Sequence, residues 1–283
     1  MTTARVRLSG FADVDRAGNP ASFIDLLDRA HQRRDRATLS EHCLHLLKAR
    51  RNDYVLDAGC GVGHETAKLA GSVGRNGMAI GIDCSEIMIN EAARRARGRK
   101  WPVMFCLSDL NNITFATNTF DGCLAISTVS HVANPQKMVS ELIRVLKPGG
   151  RLVMAEADWD TLEMYAGGSS VGMAVPKLIR QSFVHSGMGH KLPLLLFESG
   201  FTDIGIETGT TAIYDYRSAN ELWRIHPILE CAMRKRIVTR RQMCQWLLAM
   251  ETASASGEFF TSATGFSVTG VKPRNYCVGA VGP

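Results

Sequence analysis

The residues with the clearest chemical potential lie in Val55-Leu56-Asp57-Ala58-Gly59-Cys60-Gly61-Val62-Gly63. An apolar run ends in an acid, and three glycines then alternate before a helix-like segment begins at His64. Glycine belongs where backbone turns sharply or meets a ligand with no Cβ between them. A strand passing through such a turn into a helix brings backbone N–H groups and a helix N-terminus to one edge. That edge suits a small, polar, partly anionic ligand. The dinucleotide pattern G-x-G-x-x-G is absent, because it requires glycine where His64 or Thr66 stands. Twenty residues after Gly63, Ala79-Ile80-Gly81-Ile82-Asp83 forms a second apolar run ending in an acid. A carboxylate there matches the two vicinal hydroxyls of a ribose.

Such residues need a scaffold that holds several strand ends side by side. Strand patterns at 54–58, 78–83, 103–107, 120–126 and 150–156 alternate with helical ones, which predicts a doubly wound α/β sheet with parallel strands. Phe23 to Leu27 and Leu39 to Leu47 read as two amphipathic helices, and Val175 to Phe197 as a further helical stretch. A sixth strand follows at 201–206, and Phe259 to Val271 supplies the last. The expected division is an N-terminal arm with covering helices at 1–50, a core at 51–208, a helical insertion at 209–256, and the last strand with its tail at 257–283. The insertion is rich in Trp223, Met233, Met243, Trp246 and Met250, which at helical spacing also read as ordinary core.

The segments at 55–63 and 79–83 resemble the first two motifs of the class I S-adenosylmethionine-dependent methyltransferases. Cys106-Leu107-Ser108-Asp109-Leu110 resembles that family's third-strand exit, and Phe120 to Ile126 its fourth strand, with Ser127 to Val132 at the catalytic edge. The run from Leu142 through Lys147-Pro148-Gly149-Gly150 to Met154 resembles its passage from helix to fifth strand. The resemblance implies S-adenosyl-L-methionine as cofactor and a Rossmann-like seven-stranded sheet with the last strand antiparallel. It also implies N-terminal helices over the cofactor and a helical cap over the active site. Carried onto this chain, it assigns Asp57, Gly59, Gly61 and Gly63 to the methionine end, Asp83 to the ribose, and Asp109 with Leu110 to the adenine. Cys84, Met88 and Ser127 complete the expected cofactor-binding set.

Methyl transfer from a sulfonium is an in-line displacement, so the protein must align nucleophile, methyl carbon and sulfur in a dry pocket. A base is needed only where the nucleophile is protonated at neutral pH. His131, five residues after the fourth strand, is the candidate base, with a scaffold or substrate-positioning role as the alternative. Glu156 and Trp159 follow the fifth strand, where a carboxylate and an indole face would orient substrate or shield a developing cation. A hydrogen-bonded loop anchoring the cap is the other reading, and Tyr165 and Trp223 are weaker candidates. Asp158 and Asp160 lack the further spaced ligands that Mg²⁺ requires, so no metal is expected.

At 283 residues and 45% hydrophobic content the chain can bury a full core. Its net charge of +6 raises nucleic acid as a partner. Arg94, Arg95, Arg97, Arg99 and Lys100 instead close a helix, and Arg234, Lys235, Arg236, Arg240 and Arg241 fall in a later helical region, both read as solvated faces. The fourth-strand exit, Ser127-Thr128-Val129-Ser130, carries no Asn/Asp-Pro-Pro-Tyr/Phe, and neither a Pro-Cys nucleophile nor an RNA-binding appendage is present. The segments from Phe11 to Leu27 and from Glu156 to Thr161 resemble stand-alone enzymes of quinone, polyketide and terpenoid tailoring, which implies a largely apolar small molecule as acceptor; RNA or protein methylation and a non-methylating cyclase are the alternatives. The eight cysteines form no C-x-x-C and read as free thiols of a reducing cytosol. With no apolar leader or spanning segment, a cytoplasmic protein is expected, a homo-oligomer remaining open.

Overall fold

The structure, a computed structural model, describes residues 11–168 and 170–276. Residues 1–10 of the expected arm, Ser169, and Cys277 with the rest of the tail lie outside them. The chain opens with a 3-10 turn, Phe11–Arg16, then α1 (Ala21–Gln32) and α2 (Arg34–Leu47). Next come β1 (Tyr54–Ala58), α3 (His64–Val73), β2 (Met78–Asp83), α4 (Glu86–Ala96), β3 (Val103–Leu107) and β4 (Phe120–Ile126). A short 3-10 turn, Val129–His131, leads to α5 (Pro135–Val145) and β5 (Leu146–Ala166). The remainder is α6 (Val171–Ser182), α7 (Leu192–Glu198), β6 (Thr202–Ile213), α8 (Tyr216–Trp223), α9 (Ile225–Arg234), α10 (Arg240–Ala255) and β7 (Phe259–Val271).

The seven strands order as β3-β2-β1-β4-β5-β7-β6, with the last strand antiparallel, which is the Rossmann-like α/β sheet expected. β1 pairs in parallel with β2 on one side (Val55 opposite Ala79) and β4 on the other (Val55 opposite Gly122). Strand order therefore reverses between β1 and β4, and the crevice at such a reversal is where open α/β sheets bind ligands. β1 and β4 are buried on both faces, so they read as continuous apolar runs, and their bounds match the sequence reading.

Three sequence boundaries are corrected. β5 continues to Ala166, so Glu156 to Asp160 lie within a strand and not in an exit loop. Its second half alternates buried and exposed positions, and the interleaved acids hid it from a search for unbroken apolar runs. β6 extends to Ile213, so the first residues of the expected insertion at 209 are strand. The stretch from Val175 to Phe197 is two helices, α6 and α7, interrupted around Gly187 and Gly189.

The described residues fall into two compact units. One holds 11–156, 190–207 and 266–276; the other holds 157–168, 170–189 and 208–265. In the first, α2 and α3 lay Cys43, Leu47, Leu69 and Val73 on Val55, Leu124 and Val153 of the sheet. The second has its own core, where Leu162, Ile179, Trp223, Leu229, Met243, Met250 and Phe259 pack together. Its α10 starts with a capping box in which the Thr239 hydroxyl accepts from Gln242 N–H and the Gln242 side chain accepts from Thr239 N–H.

The methionine and tryptophan richness of this unit is thus largely its own core. Met250 is fully buried. Met250→Ala should lower unfolding stability by about 2–5 kcal/mol in urea titrations. A loss below about 1 kcal/mol would remove Met250 from that core.

Candidate active site

The glycine turn after β1 is fastened by its own backbone. Gly59 and Cys60 N–H both donate to Ile82 O, at 2.8 and 2.9 Å, and Gly63 N–H donates to Cys60 O at 2.9 Å. Gly61 N–H donates to Asp83 Oδ2 at 2.9 Å, while Ser85 N–H donates to Asp83 Oδ1 at 3.0 Å. Four of the five N–H groups of residues 59–63 are therefore engaged within the protein. The turn does not offer the open row of amides that the glycine pattern suggested for an anion. What glycine supplies is closeness. Gly59 has φ +79°, and a Cβ there would overlap the side chain of Thr128 at the β4 exit.

Acids dominate the electrostatics. Asp57 lies buried in β1, and its carboxylate accepts from Thr66 Oγ1 at 2.6 Å. Burial, then repulsion from Glu65, outweighs that hydrogen bond, and Asp83 adds further repulsion; together they push Asp57 up to about 7. Burial also raises Asp83 above the usual carboxylate range, against the backbone donors of Ser85 and Gly61. Glu65 sits in the first turn of α3. Opposite it, Arg36 of α2 places Nη2 at 3.6 Å from Glu65 Oε1 and donates from Nη1 to Ser127 Oγ at 3.1 Å. Ser127 takes the left-handed region at φ +54°, a strained conformation for a residue with a Cβ.

The N-terminal segment closes on the same edge. The Asp15 carboxylate accepts from Ser85 Oγ and, at 2.8 Å, from Glu86 N–H, which caps α4 just after Asp83. Asp28 pairs with both Nη atoms of Arg95 at 2.7 and 2.8 Å and contacts His64 Nε2 at 2.9 Å. Val14 and Phe23 pack with Val62 of the turn and Met88 of α4. Phe11 lies 5.5 Å from the His131 ring, and burial pushes that imidazole down to about 4. Glu156, inside β5, accepts from Ser130 N–H and Ser130 Oγ, each at 3.2 Å, and so fastens the turn that carries His131.

One unit thus brings together Asp57, the three glycines, Asp83, Met88, Ser127, His131 and Glu156. Cys84 is exposed at the β2 exit. Beyond β3, Asp109 Oδ1 closes its own turn by accepting from Asn111 N–H at 2.8 Å, and Leu110 is buried. Trp159 belongs to the other unit, stacked on Phe183 at 4.5 Å and edge-on to Trp223 at 5.4 Å. Tyr165 is exposed in that unit. Sequence reasoning missed Arg36, Glu65, Thr128, Asp15, Asp28 and Arg95. Arg36 meets Ser127 across 91 positions and Asp28 meets Arg95 across 67, so no local pattern marks either pair.

A methyltransferase-domain family model matches residues 49–192, about half of the chain. The chain belongs to this family of S-adenosylmethionine-dependent methyltransferases. An uncharacterized 37.1 kDa protein of a Streptomyces fradiae transposon is 29% identical over 259 residues, covering 91% of this chain and 73% of that one. The demethylmenaquinone methyltransferase of Symbiobacterium thermophilum is 36% identical over 110 residues, covering 38% of this chain and 44% of that enzyme. The chain thus aligns with less than half the length of that relative. A phosphoethanolamine N-methyltransferase of Haemonchus contortus, solved with S-adenosylmethionine, shares the fold at a TM-score of 0.60 and 17% identity, covering 95% of this chain and 60% of that one.

Asp57 ties stability to pH. Its carboxyl titrates at 3.8 unfolded and at about 7 folded, so its stabilising contribution is full below pH 3.8 and is lost as pH rises through about 7. Without cofactor, Asp57→Asn should gain melting temperature relative to wild type as pH is raised across that window. A wild-type-to-variant difference that stays constant with pH would contradict the assignment.

Proposed function

We propose that the protein transfers the methyl group of S-adenosylmethionine to a carbon, oxygen or nitrogen of a largely apolar small molecule. The observation that carries this reading is the acid-lined glycine turn beside His131 in a chain of this family. The cofactor's ammonium and sulfonium are cations, and buried Asp57 and half-buried Asp83 are carboxylates that gain from one. In this reading Asp57 and Gly59, Gly61 and Gly63 receive the methionine end. Asp83, held on both oxygens by backbone donors, presents its remaining lone pairs to the ribose. Asp109, Leu110, Cys84 and Met88 surround the adenine, and Ser127 marks the edge where the methyl is delivered.

The division of labour proposed is a catalytic core at 51–208, cofactor-covering helices within 1–50, an acceptor-binding cap at 209–256, and a closing strand from 257 on. The apolar acceptor is supported by the aromatic core around Trp159, Phe183 and Trp223 and by the quinone named in the bacterial relative. His131 is the proposed base for a protonated nucleophile. Its buried imidazole is neutral at physiological pH, the protonation state that a base requires. Glu156 holds that histidine's turn through Ser130.

The test is incubation with methyl-labelled S-adenosylmethionine and a panel of quinones, polyketides, terpenoids and RNA, followed by mass analysis. Label in an apolar small molecule supports the reading; label confined to RNA or protein overturns it. With a hydroxyl acceptor, His131→Ala should lower kcat by ~10²-fold. The acidic limb of the wild-type rate profile should fall near pH 4, not at the ~6.5 of an exposed histidine. Full activity and an unchanged profile in the folded variant would end the base assignment.

A further inference from the structure

We propose that Arg36 binds the carboxylate at the methionine end of the cofactor, making the site selective for adenosyl compounds that carry an amino-acid tail. This rests on the cofactor reading given above.

S-adenosylmethionine brings three charged groups to the β1 edge: a sulfonium, an ammonium and a carboxylate. The edge supplies acids for the cations in Asp57, Glu65 and Asp83. The carboxylate has no such match in the turn, because the N–H groups of Gly59, Cys60, Gly61 and Gly63 already donate to Ile82, Asp83 and Cys60. An anion beside three acids needs a fixed cation.

The neighbouring cations are mostly committed. Arg95 is held by Asp28 and Glu91, His64 by Asp28, and Lys68 donates to Ser40. Arg36 is placed differently. Its contact to Glu65 is 3.6 Å, longer than a hydrogen bond, and its 3.1 Å bond goes to the neutral hydroxyl of Ser127. A guanidinium has five N–H donors in a planar fork, so donors remain for a carboxylate that Arg can grip with two parallel bonds.

Its position fits the same end of the cofactor. Ser127 precedes Thr128, whose side chain lies against Gly59, and Glu65 lies just past Gly63. The Arg36 guanidinium therefore bridges the two ends of the glycine turn. Because Arg36 sits on α2, a carboxylate bound there also ties that helix to the β4 exit.

The ligand pair that isolates this contact is S-adenosylhomocysteine and 5′-deoxy-5′-methylthioadenosine, which share adenine, ribose and sulfur and differ in the amino-acid tail. Both are titrated calorimetrically into wild type and Arg36→Met, with Arg36→Gln as the second variant should Met disturb folding. The expected result is an affinity loss of about tenfold or more for S-adenosylhomocysteine, with methylthioadenosine affinity unchanged. Arg36→Lys should recover part of the loss, and KM for S-adenosylmethionine should rise more than kcat falls. Unchanged S-adenosylhomocysteine affinity in the variants overturns the proposal, as does an equal loss for both ligands, which would make Arg36 a scaffold residue. Wild-type protein that binds neither ligand would instead overturn the cofactor reading itself.

Discussion

Two carboxylates withdrawn from water at the ends of adjacent parallel strands, Asp57 buried and Asp83 half-buried, are the constraint around which the site is built. Asp57 closes β1 and Asp83 closes β2, and the register sets Asp57 opposite Gly81, two residues before Asp83. Removing an acid from water is costly unless a hydrogen bond or a cation compensates. The protein compensates partly, giving Asp57 a hydroxyl from Thr66 and Asp83 two backbone donors. The remaining imbalance raises both carboxyls above the ordinary carboxylate range. The same bonds hold the glycine turn, so the geometry of the seat and its charge have one origin.

The N-terminal segment depends on that edge in turn. Asp15 caps α4 beside Asp83, Asp28 fastens to His64 and Arg95, and Arg36 reaches Glu65 and Ser127. Partly exposed ion pairs of this kind are individually modest in energy. They act together with buried Val14 and Phe23, which pack on Val62 and Met88, so the segment is held by apolar area and oriented by charge. Phe11, in the same segment, lies against the His131 ring that burial keeps neutral.

The second unit is organised by its own aromatic and sulfur-rich core, in which Trp159, Phe183 and Trp223 meet face and edge. A shared fold at 17% identity fixes the sheet and not the acceptor, because one sheet hosts many chemistries through the segments added to it. The quinone relative aligns over only 38% of this chain.

The sequence by itself determined the sheet and the glycine turn at its edge. Strands buried on both faces appear as unbroken apolar runs, and the turn after β1 demands glycine, so β1, β2, β4 and the positions of Asp57 and Asp83 were legible as local patterns. The family assignment was legible for the same reason, since its motifs are contiguous. Only the tertiary structure decided how those residues are wired. It gave the loop amides to Ile82 and Asp83, turned Glu156 into a strand residue that braces Ser130, and placed Trp159 in the second unit. It also brought Arg36 to Ser127 across 91 positions. Such contacts leave no periodicity or spacing in the chain, because they arise where separate elements meet at the edge of a sheet.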